Sequence, residues 1–162
     1  MKKCETCGSI GNGLCLAYAE ACDVPMLAEA ERACFPNDPW NEGTLTESLS
    51  TPSLRAYILY NTQTSNLIGY GIISLCLDEG DIAKIAVIPE MRGRGLGGAL
   101  LDRILDDMGR EGVTNVFLEV RESNDAARGL YRSRGFEEIG IRRRYYRNPG
   151  EDAVMMARKE AL

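Results

Sequence analysis

Histidine is absent from all 162 residues of the chain. Any general acid–base chemistry must therefore fall to carboxylates, tyrosines, lysines or water. A cysteine nucleophile is disfavoured as well, because its usual activator is missing. Cys4 and Cys7 have a zinc-knuckle spacing, but no second Cys-x-x-Cys follows among the six cysteines, and no metal site is expected. Cys15, Cys22, Cys34 and Cys76 fall in or beside apolar patterns, where small packing residues are expected. Long apolar runs are lacking too. The longest uncharged stretch, Ala56 to Leu77, is broken by Asn61, Gln63, Thr64, Ser65 and Asn66, and reads as two strands and a turn, not a membrane span. No basic-then-apolar signal segment opens the sequence, so the expected location is cytoplasmic. Nor is there a surplus of positive charge. The net charge of −5 argues against a nucleic-acid binder, which needs a basic surface, and suits a basic protein or amine as partner.

What is present describes one ordinary globular domain, with 44% hydrophobic and 27% charged residues and enough length for its own core. Residues 1–13 are Gly-rich and polar and read as a flexible extension, leaving 14–162 as the domain. Leu14 to Ala19 reads as a strand, and Asp23 as the N-cap of a helix running to Cys34. Two prolines make Phe35 to Trp40 a loop, and Thr44 to Leu49 is a short helix. Leu54 to Tyr60 and Leu67 to Leu77 form a hairpin, and Asp81 to Val87 a further strand. A helix to Gly109, a strand from Val116 to Val120 and a helix from Asn124 to Arg134 follow, the last closed by Gly135. Phe136 to Arg142 and Ala153 to Lys159 make a final hairpin. The result is a mixed α/β sheet with helices on both faces. A monomer is the simplest expectation.

Pro89 to Gly98 is the most informative segment. Arg92, Gly93, Arg94, Gly95, Leu96, Gly97 and Gly98 form a glycine-rich loop entering a helix with an apolar stripe at Leu100, Leu101, Ile104, Leu105 and Met108. Glycines at a helix start let the backbone approach a ligand and aim free N–H groups at it, and the helix dipole favours an anion. Three phosphate cradles compete for this pattern. The P-loop needs a Gly-Lys-Ser/Thr ending that is missing here. Gly93, Gly95 and Gly98 satisfy G-x-G-x-x-G, but residues 88–92 separate them from their strand and too little chain follows for a dinucleotide fold. Arg92, Gly95 and Gly97 satisfy Arg/Gln-x-x-Gly-x-Gly/Ala.

Among possible reacting groups, Glu119 interrupts the apolar run Val116 to Val120. A buried carboxylate there needs a partner or a task, and a salt bridge to Arg121 or to a basic residue on the next strand is the simplest alternative. Tyr131 lies on the stripe Ala127, Leu130, Tyr131, Arg134, where a tyrosine usually packs in the core, and Asn124 reads as an N-cap.

Taken together, Arg92-x-x-Gly95-x-Gly97, Ile85 to Pro89, the run from Glu119 through Asn124 and Tyr131 to Phe136, Phe35 with Pro39-Trp40, and Arg142-Arg143 with Tyr145-Tyr146 resemble the GNAT N-acetyltransferases. Within that superfamily they resemble the RimI-type branch of ribosomal-protein alanine N-acetyltransferases, over about residues 14–160. The resemblance implies a GNAT fold, a single mixed, mostly antiparallel sheet of six to seven strands with helices on both faces. It implies acetyl-CoA as cosubstrate, no metal, and a ribosomal protein N-terminus, the alanine of small-subunit ribosomal protein eighteen, as acceptor. By the same resemblance Glu119 is the general base and Tyr131 the general acid. Ile85, Ala86 and Val87 hold the acetyl and pantetheine end, residues 92–98 the pyrophosphate, and Asn124 the cofactor arm. Phe35, Trp40, Tyr145 and Tyr146 frame the peptide. Lys84 departs from the pattern, standing where the branch often has a neutral polar residue. A small-molecule amine acetyltransferase and a non-catalytic acyl-CoA-binding module remain the alternatives.

Overall fold

The computed structural model describes residues 8–11 and 13–159. Its strands are β1 (Ser9–Gly11), β2 (Leu14–Tyr18), β3 (Leu54–Asn61), β4 (Leu67–Cys76), β5 (Glu79–Val87), β6 (Asn115–Arg121), β7 (Glu137–Arg147) and β8 (Gly150–Lys159). The helices are α1 (Val24–Cys34), α2 (Glu42–Ser50), α3 (Leu96–Arg110) and α4 (Asp125–Arg132). The strands form one sheet in the order β1-β2-β3-β4-β5-β6-β8-β7, and β5–β6 is its parallel pair among antiparallel neighbours. This is the mixed, mostly antiparallel sheet that the resemblance implies. Its eighth strand is the three-residue β1, which pairs Ser9 with Cys15 and Gly11 with Leu14. Cys4 and Cys7 lie outside the described residues.

Two apolar layers sandwich the sheet. On one face the α3 stripe, Leu100, Leu101, Ile104, Leu105 and Met108, is buried against Ile82, Val116, Leu118 and Val120, with Tyr131 and Phe136 in the same cluster. On the other, Leu27 and Ala28 of α1 and Leu45 of α2 pack on Cys15, Ala17, Ile58, Tyr70 and Ile72. Strand alternation explains the split, since successive side chains point to opposite faces. No helix among the described residues is long and apolar enough to cross a membrane.

Local chemistry differs from expectation at a few ends. Asp23 does precede α1, but its carboxylate accepts the Glu20 N–H at 2.7 Å, closing a 3-10 turn over Ala21–Asp23 without bonding α1. Asn41 caps α2 instead, accepting from the Thr44 N–H at 2.9 Å. Helix α4 ends at Arg132, two residues early, as Gly135 at φ 82° and the Phe136 N–H, bonded to the Tyr131 carbonyl at 3.1 Å, turn the chain into β7.

The feature that positions the site is a break in pairing. β5 and β6 are in register from Glu79↔Asn115 to Ile82↔Leu118. Beyond that point β5 runs on to Val87 and β6 to Arg121 unpaired with each other, so the two strands part. On its other side β5 stays bonded to β4 through Val87, opposite Gly69.

That contact is tight. A Cβ at Gly69 would lie 2.7 Å from the Ala86 carbonyl oxygen, a backbone atom that cannot swing aside. Gly69→Ala should lower stability by about 1–3 kcal/mol, an overpacking cost. Exposed Gly129, inside α4 with nothing near its missing Cβ, should instead stabilise as alanine by about 0.5–1 kcal/mol. Urea denaturation midpoints of the two variants test the opposite signs.

Candidate active site

After β5 a short 3-10 turn, Pro89–Met91, leads into the glycine loop. Arg92 turns back and donates from Nε to the Val87 carbonyl at 3.0 Å, clamping the loop onto the strand end. Gly95 precedes α3 with a left-handed φ of 75° and open space around its missing Cβ. No side chain caps this helix, so the first-turn N–H groups of Leu96, Gly97 and Gly98 are left to face a ligand. An anionic group of the size of a pyrophosphate suits this arrangement on charge and on space. Gly98 has a second reason to be glycine, since a Cβ there would strike the Arg134 guanidinium, which is paired with Asp102 at 2.9 Å.

Ile85, Ala86 and Val87 occupy the part of β5 that has left β6. Ile85 leans on the α3-side core and Ala86 on the α1-side core. Their backbone edge toward β6 has no strand partner there, which makes its polar groups available to a bound molecule.

Glu119 is the first β6 residue past the last β5–β6 pair. Its ion-pair partner is neither Arg121 nor a residue of adjacent β8. Arg142, on β7, reaches it with Nη1 at 3.1 Å from Oε1. The reach crosses β8 diagonally, since Glu119 is opposite Met155 and Arg142 is opposite Ala153. Glu119 and Arg142 line a cavity of about 320 Å³ together with Asp81, Cys76, Ile139 and Met155. Asp81 is the residue the sequence reading missed. Burial first, and then the Glu119 charge, push its carboxyl up to about 6, with Arg142 opposing.

Tyr131 is 6% exposed and packs its ring on Phe136 at 5.7 Å. Burial, reinforced by Tyr146, holds its phenol well above the ordinary tyrosine range. Tyr145 and Tyr146 follow a bulge in β7 between Arg142 and Tyr146, where Arg144 takes a φ of 53° and donates its N–H to Asp152 at 2.7 Å. The two rings meet edge to face at 5.0 Å. Arg142 stands 5.7 Å from the Tyr145 ring and Arg121 4.1 Å from that of Tyr146. Burial pushes the Tyr146 phenol up to about 12. Arg121, the expected alternative partner of Glu119, instead holds the hairpin end through the Asn148 and Pro149 carbonyls and Glu151. Asn124 is the N-cap of α4, its Oδ1 accepting from the Ala127 N–H at 3.2 Å.

Phe35 and Trp40 sit apart from these tyrosines, over Lys84 of β5. The Lys84 ammonium is 4.0 Å from the Phe35 ring centre and 5.1 Å from that of Trp40. Below it lies Glu31 of α1, 0% exposed, which accepts from Lys84 at 3.0 Å, from the Trp40 N–H at 2.8 Å and from the Tyr70 hydroxyl at 2.5 Å. A buried carboxylate so fully bonded ties the Phe35–Trp40 loop to β4 and β5. Lys84, a departure in sequence, is thus the cation that balances Glu31. Nothing in the helical pattern of α1 marked Glu31 as buried.

A sequence model of the Acetyltransferase (GNAT) family matches residues 24–136. The ribosomal protein bS18-alanine N-acetyltransferase of Haemophilus influenzae is 38% identical over 145 residues, covering 88% of this chain and 96% of that protein. The N-alpha-acetyltransferase RimI of Mycobacterium tuberculosis is 40% identical over 141 residues, covering 84% and 86%. The crystal structure of the Escherichia coli ribosomal-protein bS18-alanine N-acetyltransferase superposes with a TM-score of 0.84 at 35% identity, covering 92% of this chain and 95% of that one. With the uncapped glycine cradle, the parted strands and this end-to-end likeness, the chain belongs to the GNAT acetyltransferase family, in its RimI-type branch, and is an acyltransferase that uses acetyl-CoA.

Proposed function

We propose that the protein acetylates the N-terminal alanine of small-subunit ribosomal protein eighteen, by direct attack of the amine on the thioester. The observation that carries the substrate is the 38% identity over 88% of the chain to a relative named for that reaction. Acetyl-CoA, when bound, supplies the acetyl group in activated form. In this reading Arg92 to Gly98 hold its pyrophosphate, Asn124 its arm, and the free edge of Ile85 to Val87 its acetyl end. The N–H groups of that edge stabilise negative charge on the carbonyl oxygen during attack.

Glu119 is the general base, acting through water, and Tyr131 the general acid that protonates the departing sulfur. The division of labour is supported by surroundings. Glu119 is ion-paired with Arg142 and lines a solvent-connected cavity. Burial keeps Tyr131 a phenol throughout the neutral range, the form that can donate. A peptide N-terminus is the easier acceptor: with a pKa of about 7.7–8.0 against about 10.4 for lysine, roughly one α-amine in ten is neutral at pH 7, and fewer than about one lysine in a thousand. No covalent enzyme intermediate is required. Phe35 and Trp40 form one wall of the peptide groove and Tyr145 and Tyr146 the other.

Gly95→Val should weaken acetyl-CoA binding by tenfold or more in calorimetry, since it adds a branched side chain at a left-handed position facing the cradle. Unchanged affinity would mean that the cradle holds something else.

Glu119→Gln and Tyr131→Phe should each lower kcat by about 10²–10⁴-fold with acetyl-CoA affinity retained. Full activity in both would reduce Glu119 and Tyr131 to packing residues.

In competition, an alanine-initiated basic peptide should be preferred by at least about tenfold in kcat/KM, only about 1.4 kcal/mol, over the same peptide with a blocked terminus and an internal lysine, and over a polyamine. Faster turnover of the polyamine would favour a small-amine enzyme of the same family.

A further inference from the structure

Lys84 brings a positive charge onto the α1 side of the sheet, one residue before the free edge of Ile85 to Val87. It shares a face with Ala86, and Ala86, Phe35 and Trp40 all pack on the α1-side cluster. The Lys84 side chain is 13% exposed and ends among groups from two other segments. The fully buried Glu31 carboxylate lies 3.0 Å from Nζ. The Phe35 ring centre is 4.0 Å away and that of Trp40 5.1 Å, both within the range at which an aromatic face attracts a cation. A carboxylate floor under two aromatic walls has the parts of a site for an alkylammonium ion. The floor is also held independently of Lys84, by the Tyr70 hydroxyl at 2.5 Å and the Trp40 N–H at 2.8 Å.

Resting on the reading of Phe35 and Trp40 as a wall of the peptide groove, we propose that Lys84 is a specificity-determining residue. Its ammonium fills an alkylammonium site of the acceptor groove from within and so denies that site to a second cationic group of the acceptor. A diamine or polyamine carries its reacting amine and, a few methylenes away, another ammonium that must be placed. In this groove the carboxylate and rings able to replace the water around that ammonium are already taken. A second cation brought beside Lys84 also meets like charge. An alanine-initiated peptide makes no such demand with its first side chain, which is a methyl. Selection therefore comes from refusal of the wrong acceptor, not from added contacts to the right one.

Two substitutions at this one position separate charge from space. Lys84→Ala removes the ammonium and three methylenes, leaving Glu31 and the rings around a space the shape of propylammonium. Lys84→Met removes the ammonium but keeps most of the stem's volume. The probe is propylammonium chloride, without acetyl-CoA and with potassium chloride at equal ionic strength as control. The readout is the emission of Trp40, the chain's one tryptophan.

Lys84→Ala should show a saturable change of emission with propylammonium and a melting temperature that rises with it. It should also turn over diaminobutane with a kcat/KM at least tenfold above the parent, acetyl-CoA affinity being retained. The parent and Lys84→Met should show neither gain. No saturable emission change in Lys84→Ala, or an equal gain in Lys84→Met, would overturn the proposal. Propylammonium binding without any gain on diaminobutane would overturn it too, since the site would then lie off the acceptor path. Should Lys84→Ala fold poorly alone, propylammonium but not potassium should restore its thermal transition, and failure to do so would count against the site. The substrate reading is judged separately, by turnover of the alanine-initiated peptide in the parent, an assay that involves no variant of Lys84.

Discussion

Parallel strands cannot be joined by a tight turn, so the β5–β6 pair requires a crossover, and α3 with its buried stripe supplies it. That single constraint arranges the site. Because both strands run the same way, their carboxyl ends emerge at one edge of the sheet, where ligands of open α/β sheets gather. The end of β5 delivers the glycine loop and the uncapped start of α3. The end of β6 delivers Glu119 and, through Asn124, the helix bearing Tyr131. The pairing stops at Ile82↔Leu118, before either strand ends, which opens the edge between them.

The parting also divides the chemistry between the faces of the sheet. Glu119, Asp81 and Arg142 stand on the face that α1 and α2 leave uncovered at β6 to β8. Tyr131 comes from the opposite layer, buried with Phe136 in the α3-side core. The two faces offer different electrostatic environments. The first is charged and partly wet, suited to taking up a proton. The second is apolar and keeps a phenol protonated.

Motifs confined to one stretch of chain were legible in the sequence. The glycine loop, the α3 stripe, the break at Phe35 to Trp40 and the run from Glu119 to Tyr131 each announce themselves by spacing or by a residue out of pattern. Pairings between distant segments were not. Glu31 lies on the helix α1 like any exposed glutamate, and its burial depends on Tyr70, Lys84 and the Trp40 N–H converging from three other segments. Arg142 is one of three consecutive arginines, and nothing local distinguishes it from the other two. Only the strand order β6-β8-β7, with Ala153 between, selects it for Glu119. Asp81 opens the strand read from Asp81 to Val87, and nothing local to it signals the cavity it shares with Glu119. Strand β1 was invisible because three residues carry no period.

The same long-range pairings couple the groove walls to the chemistry. Glu31 fixes the Phe35–Trp40 loop to Lys84, three residues along β5 from Asp81. Arg142 lies between Glu119 and the Tyr145 ring, so the cation that stabilises the carboxylate also borders the tyrosine wall. The Glu119–Arg142 ion pair therefore borders both the cavity and the Tyr145 ring. Closing the cavity over that pair would remove water and strengthen each of these interactions, because charge–charge energies grow as the surroundings lose polarity. The cavity carboxylate and the neighbouring tyrosine ring are thus linked through one guanidinium. Strand register puts it there, since Arg142 is opposite Ala153 on β8 and Glu119 is opposite Met155, two residues further along that strand.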